Sequence, residues 1–296
     1  MTRSYRSYFS FGRRRILVPL GLLLLMACAP TVERPTGLAG EFEDAKEMFK
    51  RGKFDQAIDF AEGLATASPA NKFTDRARVL QAVMFTGLVY AYKNMSDAFS
   101  KGFEKTKDPH HQATYGRQRH DTLQLGGKRA LDLGEVTQRL LQGDALPKEL
   151  ILEASYPTTE GPIEVKDLLR ISDGGWVESE QQDAAAIDAI RKGMDDSLAK
   201  VIGGDRAKAR SALAAGPAKL DGVDYSLYLG HALVDGAGFF DKKHIHDLQK
   251  TKVLLGLADS SAKAGMALLK DNPNKDKEAA VKKLQDEIKA TLKTAV

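Results

Sequence analysis

Residues 41–69, EFEDAKEMFKRGKFDQAIDFAEGLATASP, limit the folds open to this chain more than any other stretch. Apolar residues recur at Phe42, Ala45, Met48 and Phe49, stop at Gly52, and restart at Phe54, Ala57, Ile58, Ala61, Leu64 and Ala65. That is the 3.6-residue helical period twice over, interrupted by a turn. Helices this short are marginal alone in water, so each must bury its stripe against the other and both against further helices.

In the order Ala45, Gly52, Phe54, Ala57, Ala61, Leu64, Pro69, the spacing resembles one tetratricopeptide repeat. The resemblance implies a helix-turn-helix whose small residues let two helices pack closely and which stacks on neighbouring units. It covers about a tenth of the chain and implies a packing unit, not a reaction.

The N-terminus carries a second resemblance. Arg3, Arg6, Arg13, Arg14 and Arg15 precede the apolar run 16–26, which ends in Leu25-Met26-Ala27-Cys28, and the whole resembles a bacterial lipoprotein signal peptide. An uncleaved membrane helix is the rival reading, but the run falls well short of the roughly 20 residues a span needs. The resemblance implies cleavage after Ala27 and diacylglycerol on the Cys28 thiol, an anchor in which each buried methylene contributes about 0.8 kcal/mol. Ala29 rather than an aspartate follows the cysteine, which by the same resemblance implies the periplasmic face of the outer membrane.

Charge must be counted after that cleavage. The signal holds five of the 44 basic residues and none of the 40 acidic ones, so 39 basic residues remain against 40 acidic. A near-neutral chain with lysine and glutamate interleaved gives no electrostatic reason to expect nucleic acid as a partner. Cys28 is the single cysteine, so no intramolecular disulfide is open to the chain and packing alone must stabilise it.

A tether over 28–40 leads into the helical pattern. From Thr74, a candidate N-cap, the stripe Ala77, Leu80, Met84, Leu88, Ala91, Met95 and Phe99 predicts one long helix. Periodicity resumes over 115–141, with Gly126-Gly127 expected to kink or split it. Residues 145–177 break the rhythm: Leu150-Ile151-Leu152 reads as a short extended piece, and Trp176 follows Gly174-Gly175. Such a tryptophan either plugs the gap between helical layers or lines a binding site. Helices return with a capping box at Ser179 and Gln182, a stop at Gly203-Gly204, a short helix Arg206–Ala214, and a glycine-rich segment around Tyr225. A long helix over 242–269 should present a thin face of alanines and serines to Gly230, Gly236 and Gly238. An amphipathic helix striped by Val281, Leu284, Ile288 and Leu292 closes the chain. The expected fold is all-α, a helical-hairpin solenoid or bundle of degenerate repeats with one irregular segment. Its parts are a signal at 1–27, a lipidated tether at 28–40, a repeat-like region at 41–145, a connecting segment at 146–178 and a C-terminal helical region at 179–296.

Tyr90, Phe99, Tyr115, Arg117, Arg119 and Arg129-Ala130-Leu131 together resemble the T-component lipoproteins associated with TRAP transporters. That resemblance implies a periplasmic helical carrier with an apolar pore, here lined by Tyr90, Tyr115, Trp176 and Tyr225. Equally, the aromatics could fill the core while the arginines reach water.

Residues for catalysis are not arranged for it. The six histidines include no i, i+4 pair, so a zinc site would need ligands from distant positions. Gly126-Gly127-Lys128 lacks the rest of a phosphate loop, no Gly-x-Ser-x-Gly elbow occurs, and Cys28 is committed to lipid. The leading expectation is therefore a membrane-anchored scaffold or adaptor, not an enzyme, with no cofactor and no metal, that binds a protein or peptide. By resemblance to repeat proteins its contact residues would be Lys46, Phe49 and Lys50. The alternative is a carrier of a small apolar ligand or lipid accessory to a TRAP-type transporter.

Overall fold

The computed structural model describes residues 35–141, 145–158, 163–165 and 180–295. Helices α1 (Leu38–Lys50) and α2 (Phe54–Ala65) form the expected hairpin, with α1 beginning three residues before Glu41. Phe42, Ala45 and Phe49 of α1 and Phe54, Ala57, Ala61 and Leu64 of α2 are buried, and the Phe49 and Phe54 rings meet edge to face at 5.7 Å. Gly52 makes the turn at φ 76°, a left-handed conformation that costs glycine little. Its amide donates to the Phe49 carbonyl at 3.0 Å, and that of Lys53 to Met48 at 2.9 Å, which satisfies the last carbonyls of α1.

Helix α3 (Thr74–Lys105) is the spine of the structure, buried all round from Ala77 to Tyr92. Thr74 lies inside the helix rather than capping it: its hydroxyl turns back to accept from the Asn71 amide at 2.9 Å. Helix α4 (Pro109–Leu140) is antiparallel to α3 and is capped by Asp108, whose carboxylate accepts from the His110 amide at 2.8 Å. The expected break at Gly126-Gly127 does not occur. A Cβ at Gly126 would stand 2.5 Å from Phe239 Cε1, and one at Gly127 would stand 2.7 Å from Phe240 Cζ. The glycines make room for two remote rings without ending the helix.

Strand β1 (Glu149–Leu152) contains the predicted extended piece and pairs antiparallel with β2 (Ala218–Asp221), Leu150 opposite Leu220. Then follow α5 (Glu180–Ile202), α6 (Arg206–Ala214), α7 (Gly222–Ala237), a 3-10 turn Gly238–Phe240, α8 (Leu248–Asp271) and α9 (Lys275–Ala295). Helix α8 starts six residues after the expected Lys242, where Asp247 accepts from the Lys250 amide at 3.1 Å. Its thin face does meet α7, but through Gly265 against Ser226. The three glycines expected there face mainly elsewhere, Gly236 alone reaching α8, 3.9 Å from Leu254 Cδ1. Gly230 meets Leu284 of α9, a Cβ on Gly236 would stand 2.7 Å from Ala130 Cβ of α4, and Gly238 faces open space. Val281, Leu284 and Ile288 of the closing helix are buried, while Leu292 is exposed.

The described residues thus form nine α-helices and one two-stranded sheet, an all-α bundle built around α3. None of those helices is long and apolar enough to cross a membrane.

Candidate functional site

Of the three residues expected to meet a partner, Phe49 is buried, Lys46 is ion-paired within the chain, and Lys50 alone is exposed. Phe49 is fully buried and packs on Phe54, so it offers nothing to a partner, because the hairpin needs its ring for the core. Lys46 is half-buried and ion-paired, its Nζ 2.7 Å from Glu43 and 2.6 Å from Glu153, and Glu153 also receives Arg76 at 2.7 Å. Burial opposes the charge on Lys46, but the two carboxylates outweigh it and hold the ammonium pKa above its ordinary value. Lys50 is exposed, yet its carbonyl accepts from the Thr158 amide at 2.8 Å. One step further, the Glu164 amide donates to the Gly52 carbonyl at 3.1 Å, while the Glu164 carboxylate takes Lys53 at 2.9 Å and Gln56 at 3.1 Å. Tyr156 carries the same segment to α5, donating to Asp195 at 2.5 Å, and lies under the Arg210 guanidinium of α6. The stretches 153–158 and 163–165 are therefore a structural strap across the hairpin.

Of the four aromatics expected around a ligand, the three among the described residues are not all brought together. Tyr90 and Tyr225 are buried beside Tyr228, where burial pushes all three phenol pKa values up. The Tyr228 hydroxyl bonds Ser197 at 2.7 Å, and Lys200 stands 3.8 Å over the Tyr90 ring. Tyr115 packs against Gly102, twelve residues or about 18 Å along α3 from Tyr90. Trp176 lies outside the described residues, as does Cys28. This group is a tyrosine cluster in the core and not a shared lining.

A different feature opens to solvent. Helices α2 and α4 flank α3 and leave a groove of about 220 Å³ between them, floored by Ile58, Phe85 and Val136. Two ion pairs cross it. Near one end, Arg129 Nη2 reaches Asp55 Oδ1 at 2.6 Å with both side chains almost fully buried. Toward the other, Arg139 Nη1 reaches Glu62 Oε1 at 3.0 Å, half-exposed, and Gln81 Nε2 fixes the second oxygen of Glu62 at 2.8 Å. Asp132 and Glu135 stand 3.5 Å from Arg129 and Arg139 respectively, so each guanidinium is shared between carboxylates. Burial holds the Asp132 carboxyl above its ordinary value, against the pull of Arg129 and Lys128.

The lining carries four carboxylates, from Asp59, Glu62, Asp132 and Glu135, against two guanidiniums. Sequence reading missed this site. Its trace is visible in hindsight: Asp55, Asp59 and Glu62 share one face of α2, and Asp132, Glu135 and Arg139 one face of α4.

Among the described residues no group of three or more His, Cys, Asp and Glu side chains could hold a metal ion. Comparison with models of known protein families, with curated proteins and with solved structures finds no match to this chain.

Proposed function

We propose that this chain is a membrane-anchored periplasmic lipoprotein that acts as a helical adaptor, holding a protein or peptide partner in the groove between α2 and α4. The observation that carries the proposal is the groove itself. Its charged side chains are already held in place by ion pairs above the buried Ile58, Phe85 and Val136, and such pre-set charges can orient a segment of another chain. The basic leader, apolar run and Ala27-Cys28 support the anchor, and the all-α hairpin architecture supports a binding role that requires neither cofactor nor catalytic group.

The test is photo-crosslinking in intact cells of the native bacterium. Gly63 sits one turn beyond Asp59 on α2, and a Cβ added there meets open space, so a benzoylphenylalanine is accommodated at that position. Val253, 56% exposed on α8, is the remote control. The expected result is an adduct of one discrete mass from Gly63 and none from Val253, in a membrane fraction from which Cys28→Ser is lost. Equal yields from both positions would sink the adaptor, and a Cys28→Ser chain that stays in the membrane would sink the anchor.

A further inference from the structure

We infer that the chain has a further binding site, for a small organic ammonium ion, in a cleft that shares no residue with the α2/α4 groove. The cleft has a volume of about 170 Å³ and lies where α3, the end of α7 and the loop after the 3-10 turn come together. At the roughly 30 Å³ that a water takes up in the liquid, that is room for about six waters or one ligand of similar size. Its leading feature is Ser96, which lines the cleft at only 4% exposure, yet whose hydroxyl has no partner among the described residues. Buried polar groups are nearly always bonded, so an unbonded one lining a cleft points to an occupant there.

The neighbouring groups say what kind of occupant. Asp97, next on α3, also lines the cleft without a partner. From the loop, His244 is held through Nδ1, which lies 2.7 Å from the Gly238 carbonyl oxygen and 3.0 Å from Asp241 Oδ1. Both neighbours are acceptors, so Nδ1 carries the ring hydrogen, and Nε2 of the neutral imidazole is an acceptor with no partner of its own. Amide bonds from Ile245 to the Phe239 carbonyl at 3.1 Å and from Asp247 to that of Phe240 at 2.9 Å fix the loop that carries the ring. Lys93, the only lysine or arginine in the described lining, is already bonded to Asp235. A carboxylate, an imidazole nitrogen and a hydroxyl are thus left open. An ammonium group supplies both the charge and the three hydrogens they accept, whereas an anion finds no free cation.

Gly238 leaves the space for the rest of such a ligand. Its φ of −60° and ψ of −26° suit any residue, and a Cβ there meets nothing within 4 Å. Neither the backbone nor close packing calls for a glycine, and the missing side chain leaves the cleft open to a short alkyl group.

The test uses the purified full chain in dodecyl maltoside with isotope-labelled histidine, whose ring Cε1–H signals are followed by NMR. His244→Gln identifies the signal that belongs to the site. The probes are isopentylammonium chloride, sodium isovalerate and isopentanol, which share an alkyl group and differ in charge. The His244 signal is expected to move and to saturate below about 10 mM isopentylammonium, with the other histidines unmoved and neither rival probe matching it. Asp97→Asn and Ser96→Ala should each weaken binding about three- to tenfold. Ser96→Ala breaks no internal bond of the hydroxyl and should melt no lower than wild type, which separates a ligand contact from a structural one. Gly238→Leu should fill the cleft and abolish the shift without lowering the melting temperature.

A His244 signal that stays in place up to that concentration, or isovalerate or isopentanol binding as tightly as isopentylammonium, would overturn the inference. So would an unchanged affinity in both Asp97→Asn and Ser96→Ala, or equal shifts in wild type and Gly238→Leu. None of these results touches the adaptor, which stands or falls on the Gly63 adduct.

Discussion

Substituting Gly193 with alanine asks whether α3 and α5 are held at a fixed backbone distance. A Cβ at Gly193 would overlap the Gly87 carbonyl oxygen and stand 2.8 Å from the Ala91 amide nitrogen. These are backbone atoms of the most buried helix in the molecule, so no side-chain rotation relieves the contact. One turn further along α5, Ser197 Oγ donates to the Val83 carbonyl at 2.7 Å, which pins the same two helices. Restoring normal separation means parting them by roughly 1 Å and loosening the contacts of Leu88 and Ala91. Overpacking of this kind costs about 1 to 3 kcal/mol. Against that, alanine in place of glycine in a helix interior returns about 1 kcal/mol. The steric term wins because the obstacle cannot move.

Gly256→Ala on α8 isolates the returning term, since its site is exposed and a Cβ there meets nothing within 4 Å. Gly87→Ala should fall between the two, because its main obstacle is the flexible end of Met194. At about 2 to 4 °C per kcal/mol, circular dichroism melts of the chain from Pro35 onward should rank Gly256→Ala above wild type, and then Gly87→Ala and Gly193→Ala below it. A Gly193→Ala protein that melts at or above the Gly256→Ala protein would refute the close approach.

Ala57, fully buried where α1 meets α2, should not tolerate a charge: Ala57→Glu is expected to destabilise by several kcal/mol, whereas Lys50→Glu, an exposed change, should stay within about 0.5 kcal/mol in urea titrations. A fragment of residues 35–141 should retain far-ultraviolet helix signal but melt without cooperativity, because the faces of α3 and α4 that meet α5 and the Phe239–Phe240 pair would lie open. A sharp melting transition in that fragment would contradict this.

Local pattern reveals those parts of the fold that local chemistry decides. The first hairpin was legible because Gly52 and two apolar stripes sit within 25 residues of one another, and Arg206–Ala214 because glycines bracket it. Gly126 and Gly127 misled because their local effect is to weaken a helix, while their use is to admit rings more than a hundred residues away. Strand β2 had no readable signal: Ala218–Asp221 alternates too briefly, and it exists as a strand because β1 supplies the hydrogen bonds. The resemblance to repeat proteins singled out Lys46 and Lys50 but could not reveal the stretches 153–158 and 163–165, which tie Lys46 to Glu153 and bond the Lys50 carbonyl. The groove was harder still, since its defining pair, Asp55 and Arg129, is 74 positions apart.

The difference in helix length explains why the chain closes into a bundle instead of continuing as an open stack. Helices α1 and α2 have 13 and 12 residues, while α3 and α4 have 32 each. At 1.5 Å per residue the second pair outruns the first by roughly 30 Å. A stacked hairpin can cover only the lower half of α3, yet α3 remains apolar as far as Tyr92 and Met95. The upper half must find another partner, and the C-terminal region provides one: Met194 fits against Gly87, Phe239 and Phe240 against the paired glycines of α4, and Tyr228 joins Ser197 beneath Val83. The same mismatch sets the short α2 beside the long α4, and the groove lies between them over Phe85.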